Sequence, residues 1–109
     1  FAPAYNCRGL LKTVKLMDIA GALADYDRAI EIDSTLSEAF YNRGTLKHKE
    51  LGDAVGALAD YDRAIEIDSN LATAYLVRSL LKRDRLGDLL GASIDYDRAI
   101  AIDPQIIYK

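Results

Sequence analysis

The chain of 109 residues has a single cysteine, Cys7, and a single histidine, His48. One cysteine excludes an internal disulfide and leaves the redox compartment undetermined. One of each makes neither a metal-ligand set nor a repeated catalytic pair. No apolar run approaches the roughly 18 residues needed to span a bilayer. Neither sign of charge dominates: 14 Lys and Arg stand against 17 Asp and Glu, interspersed, for a net charge of −3. Such a chain has no general attraction to nucleic acid or anionic lipid. Period-2 alternation is missing throughout, which excludes strands. No signal or transit segment is visible. The chain starts without Met, and its repeat pattern stops as a further unit would begin, so an excised or processed piece of a longer array is expected. No compartment is indicated; a soluble protein of the cytoplasm or of an organellar matrix or lumen is the default.

What the chain does have is repetition. ALADYDRAIEIDS stands at 22–34 and again at 57–69, and an eroded copy, ASIDYDRAIAIDP, stands at 92–104. The starts 22, 57 and 92 are 35 residues apart. A supersecondary unit repeated at a fixed period is a stack in which each unit buries its apolar face on its neighbours. The units run 1–35, 36–70 and 71–105 in one domain, with 106–109 as the expected start of a further helix. There Ile106, Ile107 and Tyr108 would form an apolar, uncapped end.

Each unit reads as two helices. The second has the clearer period: Ala22, Tyr26, Ala29, Ile30 and Asp33 recur at steps of three and four across 19–33. Asp18, Asp53 and Asp88 precede these segments as N-caps. Within them, Asp25–Arg28, Asp60–Arg63 and Asp95–Arg98 are spaced for weak i,i+3 ion pairs. The first helices cover 3–16, 37–51 and 72–86. Gly52-Asp53 and Gly87-Asp88 turn the chain inside a unit, since glycine tolerates the left-handed conformation that ends a helix. Asp33-Ser34, Asp68-Ser69 and Asp103-Pro104 turn it between units, and a proline suits the first turn of a following helix.

These residues resemble the tetratricopeptide repeat (TPR) family over essentially the whole chain. An early aromatic matches at Tyr5, Phe40 and Tyr75, and a small residue at Gly9, Gly44 and Ser79. Alanines match at Ala22, Ala57 and Ala92, aromatics at Tyr26, Tyr61 and Tyr96, then alanines at Ala29, Ala64 and Ala99. The closing proline survives as Pro104. The resemblance implies an all-α fold, a right-handed α-solenoid of three antiparallel helix-turn-helix repeats. The family period is 34, so one extra residue lies in or just after each first helix. Arg8, Arg43 and Arg78 replace a family leucine, and Lys12, Lys47 and Lys82 replace an aromatic. Their stems lie along the core edge with heads on Asp25, Asp60, Asp95 or the Asp27 series, or else the extra residue turns them outward.

The family's first helices line a concave groove that binds another protein. By position that lining is Asn6, Cys7, Leu10 and Thr13, then Tyr41, Asn42, Thr45, His48 and Lys49, then Leu76, Val77, Leu80 and Arg83. The units differ most at these positions, whereas the second helices are nearly copied. The resemblance implies a scaffold or adaptor that takes an extended peptide or an amphipathic helix with aliphatic anchors. The alternative is a structural subunit that self-associates or joins a larger complex through its ends. A subclass that grips the C-terminal carboxylate of chaperone tails is matched only at Asn42; Asn6, Leu10, Thr73 and Val77 occupy its other positions. The 35-residue period also admits an RNA-binding helical repeat, a remote reading for an acidic chain. No nucleophile–base pair, phosphate loop, cofactor motif or metal cluster is recognisable, so no enzymatic activity and no cofactor are expected. His48 reads as an exposed histidine without a special role, Cys7 as a small groove or core residue, and Tyr26, Tyr61 and Tyr96 as inter-helix packing.

Overall fold

The computed structural model describes residues 1–106, with the backbone alone for Lys15 and Leu16. The expected helix over 106–109 falls, beyond Ile106, outside the described residues. Six helices follow one another: α1 (Ala2–Leu11), α2 (Ile19–Ile32), α3 (Ser37–Leu46), α4 (Ala54–Ile67), α5 (Ala72–Asp84) and α6 (Leu89–Ile102). They pack as three hairpins, α1 on α2, α3 on α4 and α5 on α6; the hairpins stack through α2 on α3 and α4 on α5.

The residue in excess of the family period has a definite place. After α1 and α3 the helix widens into single π-helical turns, Lys12–Leu16 and Lys47–Leu51. A π turn holds one more residue than an α turn, so the first helix lengthens without rotating its packing face away. After α5 the same role falls to a wide closing turn, in which Leu86 N–H donates to the Leu81 carbonyl at 3.3 Å. The first helix of the third unit therefore ends at Asp84, two residues before the expected 86.

Each π turn stops at a residue in the left-handed region, Met17 (φ 54°) and Gly52 (φ 65°), and Gly87 (φ 67°) does the same in the third hairpin. Second helices then start on the expected caps. Asp18, Asp53 and Asp88 accept from the backbone N–H of Gly21, Gly56 and Gly91 at 3.0, 2.9 and 2.9 Å. The turns between hairpins are held by Asp33 and Asp68, which accept from Thr35 and Asn70 N–H at 2.9 and 3.0 Å. Asp103 does likewise for Gln105, so Pro104 lies within this turn and not in a helix.

Alanine sets the packing. Ala22, Ala29, Ala57, Ala64 and Ala99 are wholly buried, and their small side chains let helices approach closely. Larger residues fill the space between hairpins: Leu46 seats on Ala22 and Tyr26, and Leu81 on Ala57 and Tyr61. Full burial of one such leucine stabilises by about 1.5–3 kcal/mol. A Cβ at Gly9 or Gly44 would stand 2.8–2.9 Å from the ring of Tyr26 or Tyr61, so glycine is required for that approach. Ser79 takes the same position in the third hairpin and donates to the Ala92 carbonyl at 2.8 Å, while Tyr96 turns partly outward.

Candidate functional site

The repeated arginines and lysines on the first helices point inward, to an acid on the second helix. Arg8 donates to both oxygens of Asp25, Arg43 to both of Asp60, and Arg78 to both of Asp95, all at 2.6–2.9 Å. Lys12, Lys47 and Lys82 reach the same three acids at 3.0–3.1 Å. Each aspartate is buried and doubly paired, the condition under which a buried charge is tolerated. Hydrogen bonds from Arg8 hold the Asp25 carboxyl below the usual carboxylate range. Burial pushes Asp95 upward, but the hydrogen bonds from Arg78 and Lys82 outweigh it and leave that group lowered too.

This corrects the i,i+3 expectation. Asp25, Asp60 and Asp95 face the interior, out of reach of the outward Arg28, Arg63 and Arg98. Arg28 and Arg63 instead meet Glu31 and Glu66 on the surface at 3.4 and 3.1 Å. Arg43 and Arg78 each make one further bond, from Nη1 to Asp27 and Asp62 of the preceding hairpin, at 2.9 and 2.8 Å. One guanidinium thus ties two helices of its own hairpin and links two hairpins. These charges are framework, and they leave the outer face of the first helices to other residues.

Several of the expected groove residues come together on that face. Leu10, Thr13, Asn42, Thr45 and Lys49, with Val14, Tyr26, Leu46 and Glu50, line a cavity of about 120 Å³ between the first two hairpins. Cys7 is exposed and shares an apolar hollow of about 290 Å³ with Leu10, Leu11 and Val14. Further along, the Tyr61 hydroxyl donates to Thr45 Oγ1 at 3.3 Å and lies 3.3 Å from His48 Nδ1. The Tyr61 ring centre lies 6.2 Å from those of both Tyr41, tilted at 42°, and His48, edge-on at 78°. Burial pushes the Tyr61 phenol up to about 12. Burial, helped by Arg85 and Lys49, pushes the His48 imidazole down.

His48 is therefore not the isolated exposed histidine that its sequence context suggests. Asn6 also departs from expectation: it is buried, and its Oδ1 accepts from Asn42 Nδ2 at 3.0 Å, so it joins two hairpins and offers no open surface. Tyr41 and Val77 lean on the Tyr61 cluster and Leu76 on the Tyr75 cluster, each only half-buried. Leu80 is half-buried as well, and Arg83 is exposed, bonded to Asp84 at 2.7 Å. The Tyr61–His48–Thr45 contact was not readable from sequence, because it depends on the π turn that sets the direction of residue 48.

Solved structures decide the fold. A crystal structure of MamA superposes on 99% of this chain with a TM-score of 0.86 at 20% identity. The second TPR of Spaghetti (RPAP3), bound to the HSP90 peptide SRMEEVD, superposes on 94% with a TM-score of 0.86 at 24% identity, and 92% of that domain is covered. The first TPR of Spaghetti, bound to the same peptide, gives 0.87 at 21% identity over 94% of this chain and 79% of that one. This chain has the TPR fold. It spans 61% of the length of MamA, so it matches part of that protein. No protein-family model and no curated protein matches this chain. Among its described residues, no helix is long and apolar enough to cross a membrane.

Proposed function

We propose that the chain is a protein-interaction module that holds an extended peptide or an amphipathic helix of a partner across its first helices. The observation that carries this reading is the cavity between the first two hairpins, where Leu10, Thr13, Asn42, Thr45 and Lys49 meet. These are positions at which the repeats differ, so the shared packing does not account for their identity. The hollow accepts an aliphatic side chain, Asn42 and Thr45 offer polar partners beside it, and Lys49 and Arg83 favour an acidic group farther on. The two Spaghetti domains, each bound to a peptide of another protein, support the general mode.

They do not supply the ligand. The clamp that the family resemblance implies for a chaperone-tail carboxylate is unmatched here except at Asn42, and Asn6 is buried. A peptide ending in that carboxylate is accordingly not the expected partner. Selection of peptides from a displayed random library against the chain tests the reading. Selected peptides should share an aliphatic anchor next to an acidic residue, and should lose affinity for Lys49→Glu and Leu80→Asp when both variants retain their helicity. Binding that ignores both substitutions overturns it.

A further inference from the structure

In two of the three hairpins an outward arginine of the second helix has an acid of its own. Arg28 Nη1 donates to Glu31 and Arg63 Nη1 to Glu66, three residues on, at 3.4 and 3.1 Å. The same guanidinium groups stand 6.0 and 5.9 Å from the ring centres of Tyr5 and Phe40. The two arginine side chains are 55% and 47% exposed although a further hairpin follows each of them. This face is therefore open along the stack, and repeat-on-repeat packing does not cover it.

The third hairpin keeps the arginine and lacks the acid. Arg98 follows Arg63 at the 35-residue spacing, but Ala101 stands where Glu31 and Glu66 do. Arg98 is exposed and makes no ion pair among the described residues. Two further differences fall at the same place: Tyr75 brings a hydroxyl that Phe40 lacks, and Asn70 replaces Thr35. The Thr35 hydroxyl is spent on Asp33 at 2.6 Å. Asn70 gives only its backbone N–H to Asp68, at 3.0 Å, and keeps its side-chain amide for other use. Ser69, Asn70, Tyr75, Arg98, Ala101 and Ile102 line an open hollow of about 320 Å³.

The pair in the second hairpin shows that a carboxylate reaches this guanidinium in this setting. With alanine in place of the glutamate, the cation is left for a carboxylate from outside the chain. Ala101 and Ile102, the latter 38% exposed, give the hollow an apolar floor, while Ser69 and Asn70 add neutral donors at its rim.

We infer that this hollow is a second binding site, which takes a glutamate or aspartate side chain of another protein onto Arg98, with a neighbouring aliphatic residue on Ala101 and Ile102. The partner supplies in trans the acid that α2 and α4 supply within the chain. Such a contact is charge-assisted but exposed, so by itself it is weak, in the millimolar range. It gains weight when the partner is already held elsewhere, because the second contact is then intramolecular. The site is built on α6 and the turn before α5, so it goes beyond the first-helix face and does not require it.

Titration with the blocked dipeptide acetyl-leucyl-glutamyl-amide tests this, followed by the NMR signals of Arg98 Nε–Hε and the Asn70 side-chain amide. Both signals should shift and saturate together. Acetyl-leucyl-glutaminyl-amide, which lacks the charge, should bind about tenfold more weakly or worse. Ala101→Glu, which restores the acid within the chain, should weaken binding of the charged dipeptide about tenfold or more without lowering the thermal midpoint. Arg98→Gln should do the same, read at Asn70. Inorganic phosphate at equal concentration should move the Arg98 signal less than the dipeptide does. The absence of a saturable shift, equal binding of the two dipeptides, undiminished binding by either variant, or an equal response to phosphate overturns the proposal.

Discussion

Met17 occupies, at φ 54°, the left-handed position that Gly52 fills at φ 65° in the next hairpin. For any residue with a Cβ this conformation is disfavoured by roughly 1–2 kcal/mol, and the Met17 side chain is mostly exposed, so it recovers little by packing. Met17→Gly should therefore stabilise the chain by about 0.5–1 kcal/mol after the greater flexibility of glycine in the unfolded state is counted. Thermal denaturation checks it. An unchanged or lowered midpoint would mean that the strain is relieved elsewhere.

Arg43 serves two acids at once, so its removal should cost more than that of a surface cation. Arg43→Met leaves Asp60 buried with Lys47 alone and frees Asp27, and the expected loss is about 2–4 kcal/mol. Arg28→Met removes only an exposed pair with Glu31 and should leave the denaturation midpoint nearly where it was. Equal, small effects in chemical denaturation would mean that the inward pairing contributes nothing to the fold.

The buried acids set the response to acid. Asp25 and Asp95 titrate lower in the folded chain than in the unfolded one. The unfolded chain thus binds protons first as pH falls, which favours unfolding. Their contribution is complete above the unfolded value of about 3.9 and is lost as pH drops through the lower folded values. His48, also lowered, acts the same way in a higher window: stability declines as pH falls through its unfolded value of about 6.5. Denaturation midpoints between pH 8 and 2 should show a shallow step near pH 6, absent in His48→Gln, and a steep loss below pH 4. A stability that is flat down to pH 3 would contradict the paired aspartates.

Asp53 and Gly56 are coupled through space. A Cβ on Gly56 would run into the capping carboxylate, so Gly56→Ala gains helix propensity of about 1 kcal/mol only by displacing a cap worth about the same. The substitution should be nearly neutral alone and stabilising, by about 1 kcal/mol, in an Asp53→Ala background. A double-mutant cycle with no coupling would remove the steric account.

The period, the caps and the inter-unit turns are legible in sequence because each depends on contacts that recur in every unit; the alanine–aromatic packing is legible for Tyr26 and Tyr61 but not for Tyr96, which turns partly outward beside Ser79. What was not legible depends on direction. Asp25 and Arg28 have the right spacing for a pair, but Asp25 points across to Arg8 and Lys12 while Arg28 points to water. The extra residue was countable, yet only the structure assigns it to π turns, and those turns decide that His48 meets Tyr61. Asn6 was misjudged because its burial comes from Asn42 of the next hairpin, a contact with no counterpart one repeat later, where Tyr41 and Val77 stand.

Amide chemical-shift mapping of the chain with a peptide selected against it tests the interaction surface most directly. Shifts concentrated at Leu10, Asn42, Thr45, Lys49 and Leu80, with the second helices undisturbed, are the expected result. Shifts confined to the outer residues of α2, α4 and α6, such as Arg28, Arg63 and Ile94, would contradict a binding face on the first helices.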